Sequence, residues 1–173
     1  MDNQEIIKAL SSHAFFQRWS PGAIERLVEG CALKVINVGE ALWSVGEPGD
    51  CAYILLSGRV ERVRSARPDE QLKKEQFINP GSLLALENLL DGWPHTSTAT
   101  PMERTTVLKL PRDYFELLFE QQDPVAFFLI DAISQRVVEQ MRDANSRLHS
   151  VFGQPAETLM VLRRRLHERE QKI

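Results

Sequence analysis

Apolar and polar positions fall into three regimes along the chain. Up to Gly30 the repeat is helical. Ile6, Ile7 and Leu10 share one face, and "SPGAIERLVEG" sets Ile24, Leu27 and Val28 at helical spacing. Ser20 is a capping residue, Pro21 suits the first helical position and Gly30 is a natural stop. From residue 31 the repeat shortens to two. "ALKVINV" and "ALWSV" alternate, and "CAYILL" is the continuous apolar run of a strand buried on both faces. "RVERVRS" follows a Ser57-Gly58 turn, and "QFI" resumes the sheet beyond the charged loop "ARPDEQLKKE". "RTTVLKLP" alternates again, with Thr106, Leu108 and Leu110 on one side. Short strands at this spacing, punctuated by Gly and Pro, predict a mainly β fold: a jelly-roll barrel with flanking helices.

After Pro111 the helical repeat returns. "RDYFELLFEQQ" predicts one short helix, and Pro124 opens a long one. In the long helix Ile130, Ser134, Val137, Met141, Ala144, Leu148 and Val151 are spaced 4, 3, 4, 3, 4 and 3 residues apart. That is a heptad seam, apolar at every position but Ser134. A helix lying along its own barrel needs a broader stripe, and Phe127, Phe128 and Ile133 widen it only at the start. The first turns are therefore expected on the barrel and the later ones on another helix. A parallel homodimer is the leading expectation; a different partner helix and packing within the chain are the alternatives. The divisions expected are a helical lead-in over 1–30, a barrel over 31–122, the seam helix over 124–152 and a short helical tail over 154–173.

Composition narrows the function. Apolar residues make up 43% of the 173, which suits a globular chain, and the formal charge of −3 offers no global basic field for nucleic acid. Arg163, Arg164 and Arg165 lie among Glu157, Glu168 and Glu170, so a solvated face is the expectation there. Cys31 and Cys51 read as buried free thiols rather than a disulfide framework. The polar, acidic N-terminus is unlike a signal peptide and no apolar run is long enough for a membrane span, so a cytoplasmic protein is expected. No nucleophile–base pair, metal-ligand spacing or P-loop appears, so the expectation is a non-enzyme without a metal. Glu87 and Asp91, at i and i+4, read as a solvated helix face.

The residues also resemble a known family. "FFQRWSPGAIERLVEG" is similar to the helical lead-in of cyclic-nucleotide-binding domains, and "GEALWSVGEPGDCAYILLSGRVERV" is close to their barrel pattern. The resemblance implies the jelly-roll sensor domain of the catabolite-activator type. It also implies a phosphate-binding cassette between two strands, with Gly-Glu near its start and Pro-Arg before Ala-Thr near its end. The glutamate accepts from the ribose hydroxyl and the arginine pairs with the cyclic phosphate.

In "PGSLLALENLLDGWPHTSTAT" the pattern lays Gly81 on the first glycine, Ser82 on the glutamate, Pro94 on the proline and His95 on the arginine. On that alignment the cassette is a few residues longer than usual. Gly81, Ser82, Leu83, His95, Thr96 and Ser97 are the candidate ligand-binding residues. With both charged anchors gone, a cyclic nucleotide or other small nucleotide is possible but not expected to bind tightly. Any residual affinity should rise at lower pH if His95 protonates. Haem held through His13, His95 or Cys51 is a remote alternative, and no cofactor is expected.

The family's transcription factors continue into a winged helix-turn-helix, for which the residues after Gly153 are too few, so no specific DNA binding is expected. The reading is a stand-alone, dimeric regulatory domain that senses a small ligand or docks on a partner protein, with the C-terminal helix or tail as the docking element. The alternative is a scaffold whose pocket is filled by its own Leu83, Leu84, Leu86 or Trp93.

Overall fold

The computed structural model describes residues 2–64, 73–77, 79–152 and 160. They fall in two compact units, Met1–Ile130 and Asp131–Ile173. In the first, helix α1 (Asn3–Ser11) opens on a capping box in which Asp2 accepts from the Glu5 amide and Glu5 accepts from the Asp2 amide. A 3-10 turn at Phe16–Arg18 leads to α2 (Pro21–Glu29), whose first turn is capped by Ser20 on the Ala23 amide. Ile6, Leu10, Ile24, Leu27 and Val28, the periodic positions of the sequence, are buried.

Seven strands follow among the described residues: β1 (Ala32–Ile36), β2 (Cys51–Ser57), β3 (Val60–Arg64), β4 (Lys73–Phe77), β5 (Leu83–Leu84), β6 (Thr98–Pro101) and β7 (Thr105–Pro111). They form two antiparallel sheets, ordered β1-β7-β2-β5 and β4-β3-β6. Between the sheets lies a core of Trp43, Tyr53, Leu55, Val60, Phe77, Leu84, Ala99 and Val107. The doubly buried reading of "CAYILL" holds, since Cys51 through Leu56 are all buried and α1 touches β2 from outside. β1 is an edge, and its Leu33 and Val35 are exposed.

One expected strand is absent. "ALWSV" makes a single bridge, Trp43 to Ala99, rather than a ladder. Turns at Gly39 and from Gly46 to Gly49 close it on both sides, leaving too short a run to pair. The bridge nevertheless plants Trp43 in the barrel, which is what matters for the site.

Helix α4 (Arg112–Glu120) buries Phe115 and Leu118, and α5 (Pro124–Phe152) begins at once behind it. In the first unit, Val125, Ala126 and Leu129 of α5 are buried, and Phe128 packs on Trp19 with ring centres 4.9 Å apart. The second unit continues α5 as a helix on which Val137, Met141 and Leu148 are 42%, 60% and 54% exposed. Ile130 is half-buried, and Ser134 and Ala144 are exposed. The side chain of Val151 and the expected tail helix, with its three arginines, lie outside the described residues. No helix among the described residues is long and apolar enough to cross a membrane.

The turn between β2 and β3 has no room for a side chain. Gly58 has φ +91°, and a Cβ there would lie 2.7 Å from Thr105 Cα and 2.9 Å from the Arg104 carbonyl. Both neighbours are backbone and cannot swing away. Gly58→Ala should cost about 1–3 kcal/mol of stability from strain and overpacking. Urea unfolding followed by tryptophan fluorescence reads this as a lower midpoint at unchanged slope.

Candidate functional site

The cassette runs from Asn79 to Pro101, between β4 and β6. Its entry is pinned to β2: the Gly81 amide donates to the Leu55 carbonyl at 2.6 Å and the Leu55 amide to the Ser82 carbonyl at 2.9 Å. Leu83 and Leu84 then pair with Ile54 and Tyr53 as β5. The chain turns sharply at Ala85, a buried non-glycine residue with φ +53°, and enters the one-turn helix α3 (Asn88–Asp91). Gly92, at φ +62°, ends that helix. Arg112, from the start of α4, donates to the Leu90 carbonyl at 3.4 Å and lies against Gly92. The cassette is thus fastened to β2 at one end and to α4 at the other.

Its far end is closed by aromatic rings. His95 is buried, with its ring 4.7 Å from that of Trp43 at an interplanar angle of 15°. Trp43 in turn stacks on Tyr53 at 5.6 Å and 17°. The backbone holds His95 in place, because its amide donates to the Glu47 carbonyl at 2.9 Å and its carbonyl accepts from the Gly46 amide at 2.8 Å. The Asn88 amide nitrogen lies 3.3 Å from Nδ1 of the ring. Burial lowers the imidazole pKa below its ordinary value, against the opposing pull of the Glu47, Glu87 and Asp50 carboxylates. Burial thus works against the protonation on which any cationic role of His95 depends. Trp43 Nε1 is buried with no hydrogen-bond partner among the described residues.

The cations come from elsewhere. On β3, Val60 points into the core, so Arg62 and Arg64 point the same way by the two-residue repeat. Arg62 lies over the Phe77 ring at 5.6 Å, pairs with Glu75, and reaches Glu87 at 3.7 Å. Arg64 donates to the Thr96 hydroxyl at 3.1 Å. Glu87 is therefore ion-paired rather than simply solvated, while Asp91 accepts from the Trp93 amide. Sequence reasoning passed over both arginines because it looked for a cation inside the cassette. The signal that would have found them is the alternation of "VERVR" counted from core residue Val60.

The six candidate residues do not converge. Gly81 faces His13: a Cβ on it would run into that imidazole. Ser82 hydrogen-bonds through its backbone to Leu55 and Asn79, and no hydrogen bond joins it to His95, Thr96 or Ser97. Leu83 is spent on strand pairing. His95, Thr96 and Ser97 do lie together, at the end of the cassette, with Thr96 exposed and Ser97 buried. Trp93, considered as a plug, is 71% exposed, whereas Leu84 and Leu86 are buried. Cys31 and Cys51 are free thiols, and burial pushes Cys31 up to about 12.

A family model described as the cyclic nucleotide-binding domain matches residues 33–130. The chain is 25% identical over 166 residues to a CRP-like cAMP-activated global transcriptional regulator of Mycobacterium tuberculosis, covering 93% of this chain and 72% of that protein. It is 27% identical over 140 residues to neuropathy target esterase sws of Drosophila melanogaster, covering 77% of this chain but only 10% of that protein. Among solved structures, the catabolite activator protein of Thermus thermophilus superposes with a TM-score of 0.67 at 22% identity, over 79% of this chain and 63% of the other. The regulatory domain of Toxoplasma gondii PKA, crystallised with cAMP, gives 0.65 at 17% identity over 79% of this chain and 49% of the other. At these identities the superpositions speak for the jelly-roll fold.

The neutral, buried imidazole makes a pH prediction. The folded pKa of His95 lies below its unfolded value of about 6.5. Its contribution to stability is therefore complete above that value and is lost as pH falls below it, when the unfolded chain takes up a proton that the folded one resists. The melting temperature should drop between about pH 7 and pH 5, and His95→Gln should flatten that drop. Parallel profiles for the two proteins would contradict this account.

Proposed function

The chain belongs to the cyclic nucleotide-binding domain family, and from that premise we propose that it is a regulatory, non-catalytic domain that does not bind cyclic AMP or cyclic GMP tightly. The observation that carries this reading is the stack of His95 on Trp43. A neutral ring, buried against an indole and clamped by backbone, stands where the family's arginine would meet the cyclic phosphate. The other lost anchor is also reassigned in this proposal. Gly81 (φ +86°) and Ala85 (φ +53°) both take the left-handed backbone that suits glycine, but Ala85 stands at the entry to the short helix α3, so in this proposal the family's Gly-Glu is laid on Ala85 and Leu86 rather than on Gly81 and Ser82. The ribose would then meet a buried leucine in place of a carboxylate. With β5 counted before that pair, the cassette is no longer unusually long.

Loss of a bidentate guanidinium costs a phosphate about 1.5–3 kcal/mol, and loss of the ribose carboxylate a further amount on the same scale. Together these amount to roughly two to four powers of ten in affinity. The same stack supports the alternative, a ligand-free interaction module whose pocket its own side chains fill. Both readings include a homodimer through α5, supported by the exposed apolar seam of Val137, Met141 and Leu148.

Two measurements test this. Isothermal titration calorimetry should give no submicromolar binding of either cyclic nucleotide to the wild type. The triple change Ala85→Gly, Leu86→Glu and His95→Arg should strengthen cyclic AMP binding by at least about tenfold. Submicromolar wild-type binding would overturn the proposal. Light scattering should report a dimer for the wild type and a monomer for Met141→Asp, since an unpaired charge buried in a seam costs about 3–5 kcal/mol. A wild-type monomer at micromolar concentration would remove the dimer from the reading.

A further inference from the structure

We propose that the outer face of the β1-β7-β2 sheet binds a small carboxylic acid with an aliphatic chain, in a groove that shares no residue with the cassette. Leu33, Val35, Ser57, Arg104 and Thr106 line this concavity, whose volume is about 430 Å³. Small-molecule sites run from about 300 to 1,000 Å³ and set a few polar groups against an apolar wall. The proposal goes beyond the regulatory reading and does not depend on how the cassette treats cyclic nucleotides. Three observations carry it.

The first is the row that register builds. Val35 on β1 stands opposite Thr106 on β7, and Thr106 stands opposite Ser57 on β2. Opposed residues share a face of the sheet, so an aliphatic side chain and two hydroxyls run side by side. Leu33 repeats the aliphatic position two residues back along β1, about 7 Å away on the same face. Leu33 and Val35 are both exposed.

The second is a bulge. Leu55 opposes Val107, but the next residue of β7, Thr106, is met by Ser57 instead of Leu56. Leu56 is buried. The extra residue delivers a hydroxyl to the groove where strict alternation would bring a leucine, and re-aiming a side chain is what bulges do beside functional sites.

The third is charge. The Arg104 guanidinium and the Ser57 and Thr106 hydroxyls have no hydrogen bond or ion pair among the described residues. The turn that carries Arg104 is nevertheless fixed. The Met102 amide donates to the Arg59 carbonyl at 2.8 Å, and Thr105 Oγ1 donates to the Glu103 carbonyl at 2.8 Å. A guanidinium on a fixed backbone keeps its planar fork for a carboxylate, and two hydroxyls can donate to the same oxygens. Lys34 opposes the core residue Val107, so it faces the other side of the sheet. The groove lining therefore holds one positive charge, at the Arg104 end, and hydrocarbon at the Val35–Leu33 end. Together these match a monocarboxylate with an aliphatic chain.

Titration of the 15N-labelled full chain with sodium octanoate below its micelle concentration, at constant ionic strength, tests the proposal. Saturable shifts at Val35, Ser57, Arg104 and Thr106 are expected. Acetate, which lacks the chain, and 1-octanol, which lacks the charge, should each bind about tenfold more weakly or worse. Arg104→Gln should weaken octanoate binding about tenfold or more. Val35→Ser should weaken it about threefold or more. Arg59→Gln, on the neighbouring turn but outside the groove, should leave it unchanged. All three positions are exposed, and thermal melts check that the variants stay folded. Shifts that never saturate, that centre on the cassette or the α5 seam, or that survive Arg104→Gln would overturn the proposal. Equal binding of octanol and octanoate would overturn it as well, because the groove would then select hydrocarbon alone.

Discussion

The stack of Tyr53, Trp43 and His95 is the contact on which the rest of the first unit depends. Each ring comes from a different part of the chain: β2, the bridging segment after β1, and the end of the cassette. Flat aromatic contact in a desolvated setting adds to the area it buries, and the backbone exchange between residues 46–47 and residue 95 fixes its geometry. Because Trp43 bridges to Ala99 and Tyr53 pairs with Leu84, the stack sits where the two sheets and the cassette meet.

This arrangement has a chemical cost, and the cost indicates what the site does. Trp43 Nε1 is buried without a hydrogen-bond partner among the described residues, and desolvation lowers the pKa of the His95 ring. Two arginines of β3 lie beside the cassette. There one arginine is consumed in holding the cassette through Glu87 and the other engages Thr96.

The cassette is also tied to the helices. Arg112 begins α4, holds the Leu90 carbonyl, packs on Gly92 and pairs with Glu116 one turn on. Its backbone amide binds the Asp50 carbonyl in the loop that leads into β2. A displacement of α3 would therefore be felt in α4 and in the 46–50 loop together, through a side chain and a backbone that share one residue.

The sequence alone determined the architecture. The change of period at residue 31, the apolar run of β2, the Gly-rich turns and the return to helical spacing after Pro111 each report a local requirement of burial or backbone geometry, and such requirements are written residue by residue. That a histidine, His95, stands where the resemblance puts the cassette arginine was legible in the same way, as a residue type in a pattern. The tertiary structure decided what surrounds it. Ser82 and His95 read as neighbours in a motif, but β5 stands between them and pins Ser82 to Leu55. Ala85 marks the strained corner only through its φ, which no residue name discloses. Trp43 and Arg64 lie 52 and 32 residues from the positions they contact at His95 and Thr96 when counted along the chain. A ring stack and a cross-strand hydrogen bond depend on how separate segments are brought together, and that is set by the packing of the whole barrel.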